Sequence, residues 1–236
     1  MKSVLITGGS KGIGLGIAEV LLNQGMKVAI TGRNINSLDQ AVADLKEKGH
    51  KDVIGIQSDV TNLADEESAV NKVISAFGSL DVLVANAGVG HFSPIDEMSS
   101  EDWNDVIDVN LTGVFNSTKA AIPALKKSEG YIITIASLAG ANFFAKGAAY
   151  NASKFGLVGY SQAIMLDLRP HNIKVSTIMP GSVATHFNDN EPGPKDDWKI
   201  QPHDIGELVN DLLKMNPRTL PSKVEVRPTR PDLKNK

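Results

Sequence analysis

The fold is decided by residues 4–14, which read Val4-Leu5-Ile6-Thr7-Gly8-Gly9-Ser10-Lys11-Gly12-Ile13-Gly14. A short apolar run typical of a buried β-strand comes first, and a helical pattern follows over 14–23. The glycines between them let the backbone turn tightly and approach a bound group closely. The turn is either an ordinary tight connection or a pyrophosphate site, because the helix that it opens offers free N–H groups and a positive dipole end. Its position directly between the first strand and a helix favours the dinucleotide site. The candidate cofactor-binding residues here are Gly8, Ser10, Lys11, Gly12, Ile13 and Gly14.

Strand and helix patterns continue to alternate along the rest of the chain. Further strands are predicted at 28–31, 53–56, 82–85, 131–135, 175–178 and, more weakly, 224–226. Helices are predicted at 36–48, 65–77, 101–126, 148–169 and 204–215. Apolar strands alternating with helices are typical of a parallel sheet with right-handed crossovers. The sequence therefore predicts a single doubly wound Rossmann-type domain over 1–236, an α/β fold with a seven-stranded parallel sheet and helices on both faces.

Two segments depart from the alternation. Residues 184–202 hold Pro192, Gly193 and Pro194 and fit neither a strand nor a helix. A loop of this length in a compact domain is usually functional or disordered, so we predict a substrate lid. Residues 228–236 are predicted to form a C-terminal tail.

The composition excludes several classes of protein. A net charge of −3 offers no basic footprint for nucleic acid, so no nucleic-acid partner is expected. The absence of cysteine excludes disulfides and thiolate metal sites. No apolar stretch reaches the roughly 18 residues of a membrane span, and no secretory leader precedes the first strand. A cytoplasmic protein without a membrane partner is the expectation.

The end of the second strand indicates which dinucleotide is bound. An acidic residue there would bind the 2′-hydroxyl of NAD, whereas arginine accommodates the 2′-phosphate of NADP. The sequence reads Thr31-Gly32-Arg33-Asn34, without an acid. Arg33 can bind a phosphate through two donors, and Lys11 could add a second positive charge. We therefore predict NADP(H), the alternative being that both cations are ordinary surface residues.

Tyr150 and Lys154 are four residues apart in a predicted helix, so they share one face. A free tyrosine has a pKa of about 10. A lysine ammonium at about 4 Å, with an effective dielectric constant of about 20, would attract the phenolate by about 4 kcal/mol. That attraction would lower the pKa of Tyr150 by up to about three, before desolvation is counted, and would suit it to acid–base catalysis. A surface tyrosine beside a lysine is the alternative for this pair taken alone.

Ser137 strengthens the catalytic interpretation of that pair. It ends the fifth strand, and ligands of open α/β sheets lie beyond the carboxyl ends of the strands. A serine hydroxyl there can bind a substrate carbonyl and stabilise charge that develops on its oxygen. A serine that only caps a turn is the alternative.

At this point the chain resembles the short-chain dehydrogenase/reductase family from Thr7 to about Met215. The motifs that carry the resemblance are the glycine turn Thr7–Gly14, Asp59-Val60, Asn86-Ala87-Gly88, Asn110, Ser137 with Tyr150-x-x-x-Lys154, and Pro180-Gly181-x-Val183-x-Thr185. Each motif alone is weak evidence. All of them occur in the family's order, each at the expected strand end or helix, which makes the resemblance specific.

The resemblance implies a role for each of these residues. Asp59 and Val60 would hold the adenine, Asn86, Ala87 and Gly88 would line the cofactor, and Pro180, Gly181, Val183 and Thr185 would grip the nicotinamide carboxamide. In the catalytic set, Tyr150 would pass the proton and Ser137 would orient the carbonyl. Lys154 would lower the pKa of Tyr150 and bind the nicotinamide ribose. Asn110 would loosen its helix and hold a water that links Lys154 to solvent. Asn86 could instead be structural, and Thr185 only a helix cap.

Loops after strands four, five and six should form the substrate pocket. They carry His91, Phe92, Leu138, Asn142, Phe143, Phe144, His186, Phe187 and Trp198. Such loops fit a small-molecule site, which is mostly apolar with a few polar groups, but they do not name the substrate. The resemblance to the family implies a small carbonyl or alcohol. The five histidines show no paired ligand spacing, so no metal is expected. His91 and His186 could contact substrate, or lie in solvent.

Several alternatives stay open. A 3-oxoacyl-acyl-carrier-protein reductase is a candidate within the family, although the Gly-Gly pattern that usually ends its last strand is missing from residues 223–231. Outside it, a non-catalytic NADP(H) sensor or scaffold is possible, as is a relative that modifies nucleotide sugars, which would normally carry a larger C-terminal domain. Family members usually form homodimers or homotetramers through helices that correspond to 101–126 and 148–169. Val106, Val109, Leu157 and Ile164 could serve that packing or belong to the core.

Overall fold

A computed structural model describes residues 1–230 and shows one seven-stranded sheet. The strands are β1 (Ser3–Ile6), β2 (Lys27–Gly32), β3 (Val53–Gln57), β4 (Val82–Ala85), β5 (Tyr131–Ile135), β6 (Lys174–Pro180) and β7 (Lys223–Val226). Every pairing is parallel, in the order β3-β2-β1-β4-β5-β6-β7. The order reverses between β1 and β4, which is where an open α/β sheet forms its ligand crevice. The predicted fold class is confirmed.

Helices cover both faces of this sheet. They are α1 (Gly12–Asn23), α2 (Ile35–Glu47), α3 (Leu63–Phe77), α4 (Ser100–Ile107), α5 (Gly113–Ser128), α6 (Ala148–Leu168) and α7 (Pro202–Lys214). Alternate residues of β1 point to opposite faces, as in any strand. Ile6 packs with α1, α2 and α7, whereas Leu5 packs with α3, α5 and α6. The result is three layers with a core on each side of the sheet.

The single helix predicted over 101–126 is wrong. The chain forms α4, then a π-helical turn at Asp108–Thr112, and then α5. In this π-helical turn the side chain of Asn110 points inward and is fully buried. It makes hydrogen bonds with the backbone N–H and the backbone carbonyl of Val89. Satisfying a buried amide in this way offsets the disruption of the helical hydrogen bonds. Apolar periodicity alone did not show the interruption, whereas the resemblance implied that Asn110 loosens its helix.

The segment predicted as a lid is more ordered than a plain loop. It contains two short 3₁₀ turns, Phe187–Asp189 and Pro194–Asp196, and a bridge between Val183 and Ile200. The buried carboxylate of Asp196 accepts from Lys199 at 2.7 Å. Pro202 already belongs to α7, so the irregular stretch ends one residue earlier than predicted.

The structure describes only the first three residues of the predicted tail over 228–236. Residues 228–230 follow β7 without regular structure, and 231–236 lie outside the described residues. Within the described part of the chain, no helix has both the length and the apolar character that crossing a bilayer requires.

Candidate active site

The glycine turn adopts the geometry that a close-approaching anion needs. Gly8 and Gly12 have φ angles of 64° and 57°, in the left-handed region that favours glycine. A Cβ on Gly14 would lie 2.5 Å from the carbonyl oxygen of Gly8, so a side chain there would force the turn apart. The three glycines therefore shape the turn, while their contact with a pyrophosphate stays a prediction.

The start of α1 differs from the starts of the next three helices. Side chains of Asn34, Asn62 and Ser99 cap α2, α3 and α4 by accepting a backbone N–H. At α1 the capping position is Lys11, whose side chain makes no such bond. The capping residue therefore leaves the first N–H groups of α1 without its side chain as an acceptor, and a pyrophosphate would fit there, because those groups and the helix dipole both favour an anion.

Asn86 ties the glycine turn to the end of β4. Its side-chain amide donates to the carbonyl oxygens of Thr7 at 2.9 Å and Gly8 at 3.1 Å. The hydroxyl of Thr7 in turn accepts from the backbone N–H groups of Asn86 and Ala87. These contacts favour the structural alternative for Asn86, since its amide is engaged with the backbone. Ala87 and Gly88 then lie directly beyond the turn.

Residues that follow β2 and β3 lie next to the glycine turn and include Arg33, one of the two cations predicted to bind a phosphate. Arg33 and Lys11 are exposed, and within residues 1–230 neither side chain has a carboxylate at salt-bridge distance. Ser10 lies close by, its hydroxyl being 3.6 Å from the position that a Cβ on Gly32 would take. A surface cavity of about 400 Å³ opens here, lined by Arg33, Gln57, Ser58, Asp59, Asp65, Ser68 and Lys72. The predicted phosphate-binding cations are thus free to contact a ligand.

Asp59 and Val60 continue from β3 toward the same cavity. The Asp59 carboxylate accepts from the backbone N–H and hydroxyl of Thr61, which fixes the turn after the strand. The carbonyl of Val60 accepts from the buried amide of Asn116 at 2.9 Å. Sequence reasoning missed Asn116, which lies in α5 without a recognisable motif. Its hydrogen bond fixes the backbone of the two residues Asp59 and Val60, which we call the Asp59–Val60 strip.

Tyr150 and Ser137 meet at the carboxyl end of β5. Ser137 follows the strand, and Tyr150 lies in the first turn of α6. A hydrogen bond with the Ser137 hydroxyl lowers the pKa of Tyr150, but burial has the larger effect and raises that pKa above its ordinary value. The pKa of Tyr150 is thus raised overall, whereas the attraction of Lys154, taken before desolvation was counted, led us to expect a lowered value. Desolvation is the largest effect on this phenol, and no sequence pattern measures desolvation.

Lys154 lies one helical turn after Tyr150 and is buried. Its ammonium nitrogen is 5.6 Å from the centre of the Tyr150 ring and donates to the carbonyl of Ile135 at 3.2 Å. Burial lowers the pKa of Lys154 to about 8. A Cβ on Gly88 would lie 3.7 Å from this nitrogen, so the glycine leaves space beside the ammonium. A polar group of a ligand can approach there.

Asn110 connects the π-helical turn to the catalytic helix. Its amide nitrogen donates to Val89 at 2.9 Å and to the hydroxyl of Ser153 at 3.1 Å, and Ser153 donates to the carbonyl of Tyr150. Ser153 was not anticipated, although its place three residues after Tyr150 puts it on the inner face of α6. The water that Asn110 was expected to hold stays a prediction.

Asn151 is a second residue that sequence reasoning missed. It is buried beside Tyr150, and its amide donates at 2.8 Å to the carbonyls of both Ala139 and Asn142. These bonds fasten the loop that follows Ser137 onto α6. Asn151 therefore holds the serine and the tyrosine in register, a role that only the folded chain shows.

The motif after β6 borders the same crevice. The N–H of Gly181 donates to Val226 of β7, which fixes the end of the strand beyond Pro180. A Cβ on Gly12 would lie 3.5 Å from the side chain of Thr185, so Thr185 faces the glycine turn across the crevice. Its hydroxyl also accepts from the N–H of Phe187, which agrees with the capping alternative.

Two of the histidines were considered as substrate contacts. The His91 side chain is 41% exposed, and it also contacts two carboxylates, with Nε2 2.8 Å from an oxygen of Asp105 and Nδ1 3.6 Å from one of Asp102. His186 is exposed. His203 forms an exposed group with Asp204 and Glu207 on α7, distant in sequence from every predicted catalytic residue. The expectation of no metal stays a prediction.

Comparison with known proteins adds an independent line of evidence. A family model described as short chain dehydrogenase matches residues 2–195. An uncharacterised oxidoreductase of Staphylococcus saprophyticus is 34% identical over 232 residues, covering 96% of this chain and 97% of that protein. The 3-oxoacyl-[acyl-carrier-protein] reductase of Escherichia coli K12 is 38% identical over 185 residues, covering 78% of this chain and 74% of its own length.

A solved structure is similar over almost its whole length. It is an alcohol dehydrogenase from the archaeon Thermococcus sibiricus complexed with 5-hydroxy-NADP. The TM-score is 0.91 and the identity 31%, with 98% of this chain and 99% of that chain covered. Fold, motifs and relatives thus agree.

Proposed function

Because this chain belongs to the short-chain dehydrogenase family, it is an oxidoreductase, and we propose that it transfers a hydride between NADP(H) and a small carbonyl or alcohol. One observation carries the proposal. The Tyr150 phenol, the Ser137 hydroxyl and the Lys154 ammonium gather at the carboxyl end of β5. The nearby helix α1 has Lys11 at its capping position, and the Lys11 side chain does not cap it. Proton donor and dinucleotide site therefore face one crevice.

Each residue of that group has a separate task. Tyr150 donates the proton to the carbonyl oxygen during reduction, and because burial raises its pKa the phenol holds that proton near neutral pH until the carbonyl oxygen accepts it. Ser137 donates a hydrogen bond to the same oxygen and stabilises the charge that develops on it. The bound nicotinamide supplies the hydride. Lys154 binds the ribose hydroxyls, and Asn110 positions α6 through Ser153.

The dinucleotide would lie along the crevice from the glycine turn to the end of β6. Gly8, Ser10, Gly12, Ile13 and Gly14 would receive the pyrophosphate. Asp59, Val60, Ala87 and Gly88 would border the adenosine half and the ribose. Pro180, Gly181, Val183 and Thr185 would hold the nicotinamide. Arg33 and Lys11 would bind the 2′-phosphate, and the similar alcohol dehydrogenase complexed with 5-hydroxy-NADP supports this choice of cofactor.

A second candidate function is reduction of a 3-oxoacyl group on acyl-carrier protein. Similarity to the Escherichia coli reductase favours it. The match with that reductase leaves about a quarter of its length uncovered, and the strand that ends this sheet lacks the Gly-Gly pattern. We therefore place a free small carbonyl first. A non-catalytic sensor is disfavoured, because the Ser137, Tyr150, Lys154 and Asn110 set is complete.

The proposal also covers the domain organisation, the location and the oligomeric state of the protein. We propose a single domain in which 184–202 covers the substrate, and a cytoplasmic location. Three of the four apolar residues considered for pairing, Val106, Val109 and Leu157, belong to the core instead. Phe115 on α5 and Phe155 and Leu166 on α6 are exposed, and pairing through these helices would cover them in a homodimer or homotetramer.

Steady-state kinetics with both cofactors test the proposal. Purified protein should oxidise NADPH in the presence of aldehydes or ketones, with a kcat/KM for NADPH well above that for NADH. Arg33→Asp should reduce this preference by at least about 10-fold, since it replaces the phosphate ligand with a carboxylate. Arg218→Asp, at another exposed arginine, serves as the control and should change nothing. A wild type that prefers NADH, or that reduces no carbonyl, would contradict the proposal.

A further inference from the structure

Three loops bring phenylalanine rings together around Tyr150. Phe92 follows β4, Phe144 follows β5 and Phe187 follows β6. The Tyr150 ring centre is 5.5 Å from that of Phe92 and 5.7 Å from that of Phe187. Phe92 is also 5.8 Å from Phe144 and 6.4 Å from Phe187. We call Phe92, Phe144 and Phe187 the aromatic enclosure. These distances are those at which aromatic rings attract one another.

A glycine, Gly90, lies directly against two rings of the aromatic enclosure. A Cβ on Gly90 would lie 2.7 Å from Cζ of Phe187 and 2.9 Å from Cζ of Phe92. Any side chain at position 90 would force the two rings to move. Both rings therefore depend on the bare backbone of Gly90 for their places beside the phenol.

Charged groups near the aromatic enclosure are turned away or solvated. His91, between Gly90 and Phe92, is held by Asp105 and Asp102 on α4. Lys146 and His186 flank the other two rings, and both are exposed. Phe143, also expected as a pocket wall, is 86% exposed and takes no part in the ring contacts. The surface beside Tyr150 is thus apolar, and it is formed by rings that come from three different loops.

We infer that the aromatic enclosure selects carbonyl compounds that carry an aromatic or bulky hydrocarbon group next to the carbonyl carbon. Such a group would pack against Phe92 and Phe187 while the carbonyl oxygen meets Tyr150 and Ser137. Among small carbonyl compounds, one that carries only short alkyl groups or an anionic group covers less of the rings and leaves them partly in contact with water. The inference rests on the proposed function and names its substrate class.

Relative kcat/KM values test the inference. Acetophenone, 2-butanone and pyruvate are compared at saturating NADPH. Wild type should favour acetophenone over each of the others by about 100-fold, the scale on which an apolar pocket discriminates. Phe187→Ala should reduce the preference for acetophenone over 2-butanone by about 10-fold, without changing the Kd for NADPH. Gly90→Ala, which displaces the same rings from the backbone side, should act in the same direction.

The loop after β4 also offers a matched control variant. Ile95→Ala removes another exposed apolar side chain from the loop after β4 and should leave the preference unchanged. Equal use of 2-butanone or pyruvate by the wild type, or an unchanged preference in Phe187→Ala, would overturn the inference while leaving the proposed function intact. A protein that binds NADPH and reduces none of a broad carbonyl panel would overturn both.

Discussion

The glycine turn and the aromatic enclosure both follow strand ends of the sheet, and they are built differently. The turn is made of backbone, with Gly8 and Gly12 in the left-handed region and Asn86 bonded to main-chain oxygens. The enclosure is made of side chains, with Phe144 and Phe187 respectively 48% and 38% exposed. In our proposal the backbone of the turn recognises the shape of the dinucleotide, whereas the three side chains of the enclosure select the substrate.

This difference explains the largest expected effect, which is on chemistry and not on binding. Tyr150→Phe keeps the ring in contact with Phe92 and Phe187 but removes the proton donor. We expect kcat to fall by about 10³- to 10⁴-fold, with an unchanged Kd for NADPH. Stopped-flow turnover and a fluorescence titration measure the two quantities. Tyr160→Phe, at another partly buried tyrosine of α6, is the control. Turnover that survives in Tyr150→Phe would exclude the phenol as the acid.

Lys154 lies between the two regions and should give a smaller effect that depends on pH. Burial lowers its pKa to about 8, while burial raises that of Tyr150. As the pH rises above about 8, the lysine loses its proton before the phenol does, so kcat/KM for reduction should fall. Lys154→Met should lose about 10²- to 10³-fold in kcat at pH 7 and show no such fall. An identical pH profile in wild type and Lys154→Met would contradict this assignment.

The lowered pKa of Lys154 should also make the free energy of unfolding depend on pH. Its folded pKa lies below the unfolded value, so between about 8 and 10.5 the unfolded chain holds more protons. The free energy of unfolding that Lys154 contributes therefore rises with pH over this window. Relative to Lys154→Met, the wild type should gain stability from pH 8 to 10, as measured by urea denaturation. The exposed Lys126→Met should show no trend of this kind.

Gly8→Ala tests the backbone end of the comparison. The φ of 64° costs an alanine about 1–2 kcal/mol, and its Cβ would lie 2.9 Å from the Cα of Ala87. The turn must shift, so we expect the Kd for NADPH to increase about 10-fold or more. Gly159→Ala is the matched control, because no atom lies within 4 Å of its Cβ position. It should stabilise α6 slightly without affecting NADPH. Equal affinities in the two variants would mean that the shape of the turn is unimportant.

The smallest effect concerns Glu66, buried behind the Asp59–Val60 strip. It accepts from the hydroxyl of Ser58 at 2.6 Å, and burial raises its pKa above the ordinary 4.5. The folded chain therefore keeps this proton longer than the unfolded chain, and stability falls as the pH rises from 4.5 through the folded value. Glu66→Gln, which mimics the protonated acid, should remove that part of the pH dependence. Thermal melts compare it with the exposed Glu67→Gln; matching curves would show that Glu66 is not held neutral.

Residues with a fixed local context could be predicted from the sequence. The glycine turn follows from its position between a strand and a helix, and the parallel sheet follows from apolar strands alternating with helices. The order of motifs was enough to bring Ser137, Tyr150 and Lys154 together. These features depend on neighbours in sequence or on the topology that parallel strands impose.

Features that depend on burial could not be predicted. The spacing of Tyr150 and Lys154 indicated a lowered phenol pKa, yet desolvation raises it. Asn151, Ser153 and Asn116 bind backbone or side-chain groups 12, 43 and 56 residues away, with no pattern to mark them. The convergence of Phe92, Phe144 and Phe187 needs three loops to fold back on one helix. Each of these is a property of the tertiary structure.

A crystal structure of the protein with NADP⁺ would test the central claim most directly. The account predicts that the pyrophosphate lies on the Gly8–Gly14 turn at the start of α1, with the 2′-phosphate at Arg33 and the nicotinamide ring beside Tyr150 and Lys154. A dinucleotide bound outside the crevice, or one whose adenine end lies beside Tyr150, would contradict it.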